Sequence, residues 1–258
     1  MSLKTVFIIP AIILFSLLFT DCTANKVIAN RERVQALEDM AISHIRQGNL
    51  RAGLEQLLKA VELDPENADL RHELALVYRD LGEYQLSLRH FKKALTLRPE
   101  FPDAQNNLGT LYARLGRWHQ ALACFQKATS NLLYKTPYIA YHNIGSVYFH
   151  RGEYQKAIEN YQRALKLLPS YSEAYYNLAC AYEVINRWEA AIDAYENAIN
   201  NDPEFSAAHL KLGKLYLKLN RKIEGVRELE LAIEVDPKGP FAREAKRLLK
   251  NHGMENVQ

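Results

Sequence analysis

The chain has 258 residues, 48% of them hydrophobic, and a formal net charge of +3. That is enough apolar material for one or two packed domains and excludes bulk disorder, while so small a charge gives no basic field of the kind nucleic-acid binders carry. Three cysteines are too few for a disulfide framework.

The amino terminus differs from the rest. After Lys4, the run "VFIIPAIILFSLLFT" from Val6 to Thr20 carries no charge. It is short for a membrane span, which needs about 20 apolar residues, and it fits the apolar core of a secretory signal, where Pro10 is tolerated. Export is therefore expected. Two routes of processing stay open at "LFTDCTAN". An ordinary signal peptidase would cut after Ala24 and remove residues 1–24. A lipoprotein route would remove 1–21 and leave an acylated Cys22, although Phe19, Thr20 and Asp21 depart from the Leu, small residue and Gly or Ala that such signals resemble. Residues 25–33 form an extension ahead of the first repeat.

From there the chain keeps a period. Pro65, Pro99, Pro169, Pro203 and Pro237 are separated by 34, 70, 34 and 34 residues, and 70 is two periods plus two. Counting back from each proline gives six units: 34–67, 68–101, 102–137, 138–171, 172–205 and 206–239. In the fourth, Tyr141, Ile144, Gly145 and Tyr148 make one helical stripe. Gly152 interrupts, and Tyr154, Ala157, Ile158, Tyr161, Ala164 and Leu165 make a second. Each unit is thus expected to be two amphipathic helices joined by a tight turn. The eighth place is small (Ala41, Ala75, Gly109, Gly145, Ala179, Gly213), so the two helices can approach closely. The fifteenth is Gly48, Gly82, Gly116, Gly152, Asn186 and Asn220, the types that most readily turn left-handed at a helix end.

These residues resemble the tetratricopeptide repeat family. The third unit carries its pattern at Gln105, Leu108, Gly109, Tyr112, Ala121, Phe125 and Ala128, with Leu133 where the proline belongs. The resemblance implies an all-α fold, a right-handed superhelix of six helix-turn-helix repeats. Such stacks need capped ends, and residues 240–258 supply one, with Pro240 opening a helix, Phe241, Ala245, Leu248 and Leu249 on one face, and Gly253 closing it.

No G-x-S-x-G, P-loop or dinucleotide fingerprint occurs, so no catalytic residues, cofactor or metal are expected, and a helical solenoid reads as a surface for protein partners. In each first helix the places facing away from the packing stripe should line the concave side. At place five these are Glu38, His72, Asn106, His142 and Tyr176, at place nine Ile42, Leu76 and Thr110, followed by Ser146 and Cys180, and at place twelve Ile45, Arg79 and Phe149, then Glu183. Asn107, Asn143 and Asn177 at place six match a consensus feature of the repeats and read as structural. His142 and His150 are eight apart, without the spacing of a metal pair, and read as solvated polar residues. Chaperone adaptors of the family hold a carboxylate with Lys and Asn at places five and nine of their first unit. Glu38 and Ile42 stand there instead.

The extra two residues fall in "SNLLYKTPYIAY", where Thr136 before Pro137 is biased toward extended backbone, so the stack should bend or reset there. A signal-bearing chain of six such units with this expanded linker resembles the type IV pilus biogenesis pilotin family, through Leu133, Tyr134, Thr136, Pro137, Asn143 and Gly145. That resemblance implies an outer-membrane lipoprotein facing the periplasm, held by lipid on Cys22, that binds secretin subunits and helps them assemble. Without acylation the same chain would be a soluble periplasmic protein. A generic scaffold for envelope or export complexes is the other reading.

Overall fold

The computed structural model describes residues 29–251, so Cys22, the expected signal and Gly253 lie outside it. Among the described residues there are thirteen helices and no strand: α1 (29–46), α2 (Leu50–Leu63), α3 (Ala68–Asp80), α4 (Tyr84–Leu97), α5 (Pro102–Arg114), α6 (Trp118–Thr129), α7 (Pro137–His150), α8 (Tyr154–Leu167), α9 (Ser172–Val184), α10 (Trp188–Asn201), α11 (Ser206–Lys218), α12 (Lys222–Val235) and α13 (Pro240–Asn251). The chain divides into two compact units, up to Leu111 and from Tyr112 onward, with the division inside α5.

The turn inside each repeat follows from its fifteenth residue. Gly48, Gly82, Gly116 and Gly152 take φ between 71° and 82°, and Asn186 and Asn220 take 59° and 60°. This left-handed step lets the following N–H reach back five residues, as from Glu83 to the Tyr78 carbonyl at 2.8 Å and from Arg187 to that of Tyr182 at 2.9 Å. The orphan carbonyls at the end of each first helix are thereby satisfied and the chain is aimed back along it.

In the first unit α2 packs on α3 and α3 on α4. Leu57, Leu70 and Leu74 are fully buried beside Val34, Leu37 and Val77, each leucine worth roughly 2 kcal/mol. A Cβ on Gly53 would stand 2.6 Å from Ile45 Cγ1 and 3.1 Å from the Ala41 carbonyl oxygen, so α1 and α2 meet too closely for any other residue. In the second unit the pairs α7–α8, α9–α10 and α11–α12 stack through α8–α9 and α10–α11. Their core is aromatic as well as aliphatic, with Tyr161 and Tyr195 almost wholly buried. Gly145 is required here by the same crowding, since its Cβ would lie 2.7 Å from the Tyr161 ring.

Helix α13 covers α11 and α12. Its buried face is Ala242, Ala245 and Leu249, with Leu248 half-buried. Phe241 was expected on that face and is instead 39% exposed, because the apolar stripe begins one residue later, at Ala242.

The other connections between repeats are four residues long, as at 64–67 and 168–171, while that between α6 and α7 is seven, 130–136. Helix α6 stops two residues short of its counterparts and α7 begins on Pro137. Thr136 takes φ −126° and ψ 50°, outside the helical region as the following proline requires but short of full extension. Tyr134 turns inward and packs with Ala128 and Ala140. After this loop the four-residue spacing resumes, so the register is reset without loss of the helix pairs.

Candidate functional site

The second unit carries a cleft of 540 Å³ built from the first helices of three successive repeats. Helix α7 contributes Ser146, Phe149 and His150, α9 contributes Tyr176, Asn177, Cys180, Glu183 and Val184, and α11 contributes Lys211 and Lys218. One turn of α7 sets Ser146 and Phe149 on the same face, and the next repeat places Tyr176 and Cys180 alongside.

The floor is held by hydrogen bonds from the second helices. The Tyr195 hydroxyl donates to Glu183 Oε2 at 2.9 Å and lies 3.3 Å from Cys180 Sγ, and the Tyr161 hydroxyl reaches Ser146 Oγ at 3.4 Å. Tyr176 is packed against Phe205, with ring centres 5.1 Å apart, and Phe149 meets the edge of Tyr154 at 5.4 Å. Lys211 Nζ stands 4.0 Å from Glu183, and Lys218 Nζ sits 3.9 Å above the Trp188 ring. Burial pushes the Cys180 thiol up from its ordinary range and the Tyr161 phenol up to about 12, so both stay protonated near neutrality. A protonated thiol is a poor nucleophile. The cleft offers the aromatic side chains Phe149 and Tyr176, with Tyr161 also in its lining, a cation near each end of its α11 wall and a single carboxylate. Among the described residues no group of three or more His, Cys, Asp or Glu side chains is placed to hold a metal ion.

Of the residues expected on the concave side, Ser146, Phe149, Tyr176, Cys180 and Glu183 come together in this cleft. The others lie elsewhere. His142 hydrogen-bonds Asn177, whose Nδ2 donates to its Nε2 at 2.7 Å, and rests against Tyr161 and Tyr171. Burial holds its imidazole below the usual range. The expectation of a solvated His142 therefore fails, since two rings and an amide replace water around it, whereas His150 is exposed and lines the cleft.

In the first unit His72 makes the same bond to Asn107 Nδ2 at 2.9 Å, and burial brings its pKa down to about 4. Asn107 and Asn177 are thus structural, each tying one repeat to the preceding one. Asn106 is buried, and Thr110 donates to the Asn106 carbonyl oxygen at 3.1 Å. Ile45 packs on the core of α1 to α3. Arg79 holds Asp80 at 2.8 Å and Leu76 is half-buried. Glu38 lies in a 560 Å³ hollow with Asn30, Arg31 and Asn67, and Ile42 in a shallower one beside Arg46.

Lys211 was missed. It occupies place six of the last repeat, where three earlier repeats have the asparagine that reads as structural. The departure from Asn was the available signal.

Models of the tetratricopeptide repeat match residues 57–89, 102–131 and 206–238, and a TPR repeat model matches 75–116, 145–183 and 185–220. The chain belongs to the tetratricopeptide repeat family. Its fold is the all-α solenoid of such repeats, six helix pairs followed by a capping helix, and this is a fold for binding proteins or peptides. Among solved structures, PilW, described as a widely conserved type IV pilus biogenesis factor, aligns with a TM-score of 0.75 at 22% identity over 82% of this chain and 97% of its own. PilF of Pseudomonas aeruginosa aligns at 0.73 and 19% identity over 85% and 99%. YrrB, a TPR protein with an unusual peptide-binding site, aligns at 0.55 and 21% over 74% and 97%. At these identities the likeness concerns the fold. No curated protein matches the sequence significantly.

Proposed function

We propose that this tetratricopeptide repeat protein is a pilotin of the bacterial envelope, which binds subunits of a type IV pilus secretin and helps them reach the outer membrane and multimerise. The observation that carries this reading is the seven-residue connection 130–136, the single long one among six, with its Leu-Tyr-Lys-Thr-Pro wording. The extent of the fold shared with PilW and PilF, almost the whole of each, supports it. On this reading the chain is exported, its repeats face the periplasm, and Cys22 carries the lipid that holds it to the outer membrane, with at least two acyl chains giving stable anchoring where one is marginal.

Deleting the gene tests the function. Secretin multimers resistant to detergent should vanish while the monomer persists. Unchanged multimers, with some other envelope protein recovered on the purified chain, would assign it to general scaffolding instead. The anchor is tested separately by the intact mass of the protein extracted from membranes. A mature terminus at Cys22 with acyl mass, lost in Cys22→Ala, is expected, and an unmodified terminus at Asn25 would make the chain a diffusible periplasmic protein.

A further inference from the structure

The loop 130–136 turns two adjacent leucines to solvent, Leu132 at 100% exposure and Leu133 at 87%. The arrangement is held in place. The Leu133 N–H donates to Asn131 Oδ1 at 2.9 Å, the Tyr134 N–H donates to the Asn131 carbonyl at 3.1 Å, and the Tyr134 ring is buried between α6 and α7. With the tyrosine committed inward, the leucines have no internal surface to cover. Single exposed apolar side chains are ordinary, but a fixed pair at a loop tip is an apolar protrusion.

The charges along this stretch of sequence have one sign. No Asp or Glu occurs between Asp103 and Glu153, although 30 acidic residues in 258 would put about six in such a stretch. Lys127, in the last turn of α6, and Lys135, in the loop itself, flank the leucines. Both are exposed, and among the described residues neither is in an ion pair. Arg151 is paired with Glu153 and adds nothing.

We propose that the loop is a membrane contact, in which Leu132 and Leu133 enter the acyl boundary of a bilayer and Lys127 and Lys135 meet its anionic phospholipid headgroups. A bilayer presents an apolar interior and anionic groups at neighbouring depths, the order in which the loop presents leucines and lysines. Two leucines and two lysines are too few to anchor a protein. The contact orients a chain already at the surface, and it stands whether or not the partner is a secretin.

The test is hydrogen exchange of residues 130–136 in the full-length chain, alone and with vesicles of phosphatidylethanolamine and phosphatidylglycerol or of phosphatidylcholine. A local readout is needed because an acylated Cys22 would bring the chain to any vesicle. With phosphatidylglycerol present, exchange should slow by about fivefold. The Leu132→Ser, Leu133→Ser double variant should abolish the protection without changing the thermal melt, and Lys127→Gln with Lys135→Gln should remove the difference between the two lipids. Equal exchange with and without vesicles overturns the proposal. So does equal protection on phosphatidylcholine, or protection that appears only when a protein partner is added.

Discussion

The junction of the first and second repeats and that of the fourth and fifth use the same two helical places with opposite chemistry. In the later junction His142 at place five faces Asn177 at place six of the next repeat, and a neutral amide donates to a neutral ring. In the earlier one the corresponding residues are Glu38 and Glu73. Burial raises the Glu73 pKa to about 7, with the charge of Glu38, the hydrogen bond shared with it and the charge of Asp69 adding to the effect. One oxygen of Glu73, Oε2, is buried without a partner. Helix α3 shows both solutions in consecutive residues, since His72 bonds forward to Asn107 while Glu73 faces back to Glu38. The register alone therefore does not fix how a junction responds to pH. The pair of side chains placed in it does.

The largest expected effect is acid loosening of the histidine junctions. His72 has its pKa lowered in the folded chain from 6.5 to about 4. The unfolded chain then binds more protons between those values, and stability present above pH 6.5 is lost as the pH falls toward 4, by roughly 3 kcal/mol for a group this deeply placed. His142 shifts in the same direction. Glu73 runs the other way. Its folded pKa is raised from 4.5, so the folded chain binds more protons, and its junction weakens as the pH rises from 4.5 to about 7. Segment-resolved hydrogen exchange should show α3 with α5 and α7 with α9 opening at pH 5, and α1 opening at pH 7.5. A uniform response along the chain would erase the distinction.

Next in size is His142→Ala, which leaves the Asn177 amide unpaired and a cavity beside Tyr161 and Tyr171. It should cost about 2 kcal/mol in denaturant unfolding, confined to the later junction. Glu73→Gln should do the reverse at the first junction, stabilising by about 1 kcal/mol at pH 7.5 once solvent screening is allowed for, and flattening the slope between pH 4.5 and 7. The smallest effect belongs to Asp69→Asn. It breaks the exposed pair with Arg98 and should change stability by less than about 0.5 kcal/mol, leaving the two junctions distinct.

The six left-handed turns were legible because a fixed period puts Gly or Asn where a helix must end and reverse. The close approach at Gly145 was legible for the same reason, as the small member of a packing stripe. The bond from His142 to Asn177 was not. Its partners lie 35 residues apart, and which way each ring turns depends on how neighbouring repeats are rotated, which no single helix's stripe records. The loop 130–136 was legible as an interruption but not in its content. With no helical period to sort Leu132, Leu133 and Tyr134, only the packing of α6 against α7 decides that the tyrosine goes in and the leucines stay out. In the cleft, Phe149 and Tyr176 followed from helical phase, whereas Lys211 required knowing that the last repeat lacks the asparagine used to tie repeats together.

The long connection also sets where the polypeptide can be cut. Lys135 is exposed in a stretch outside helical hydrogen bonding, between α6 and α7 and so between two repeats. A trypsin-like protease that reaches it leaves every helix pair on one side or the other of the break, whereas a cut within any turn at Gly116 or Gly152 would separate the two members of a pair. Limited digestion should therefore yield two discrete fragments, each containing whole repeats, before the chain is degraded further.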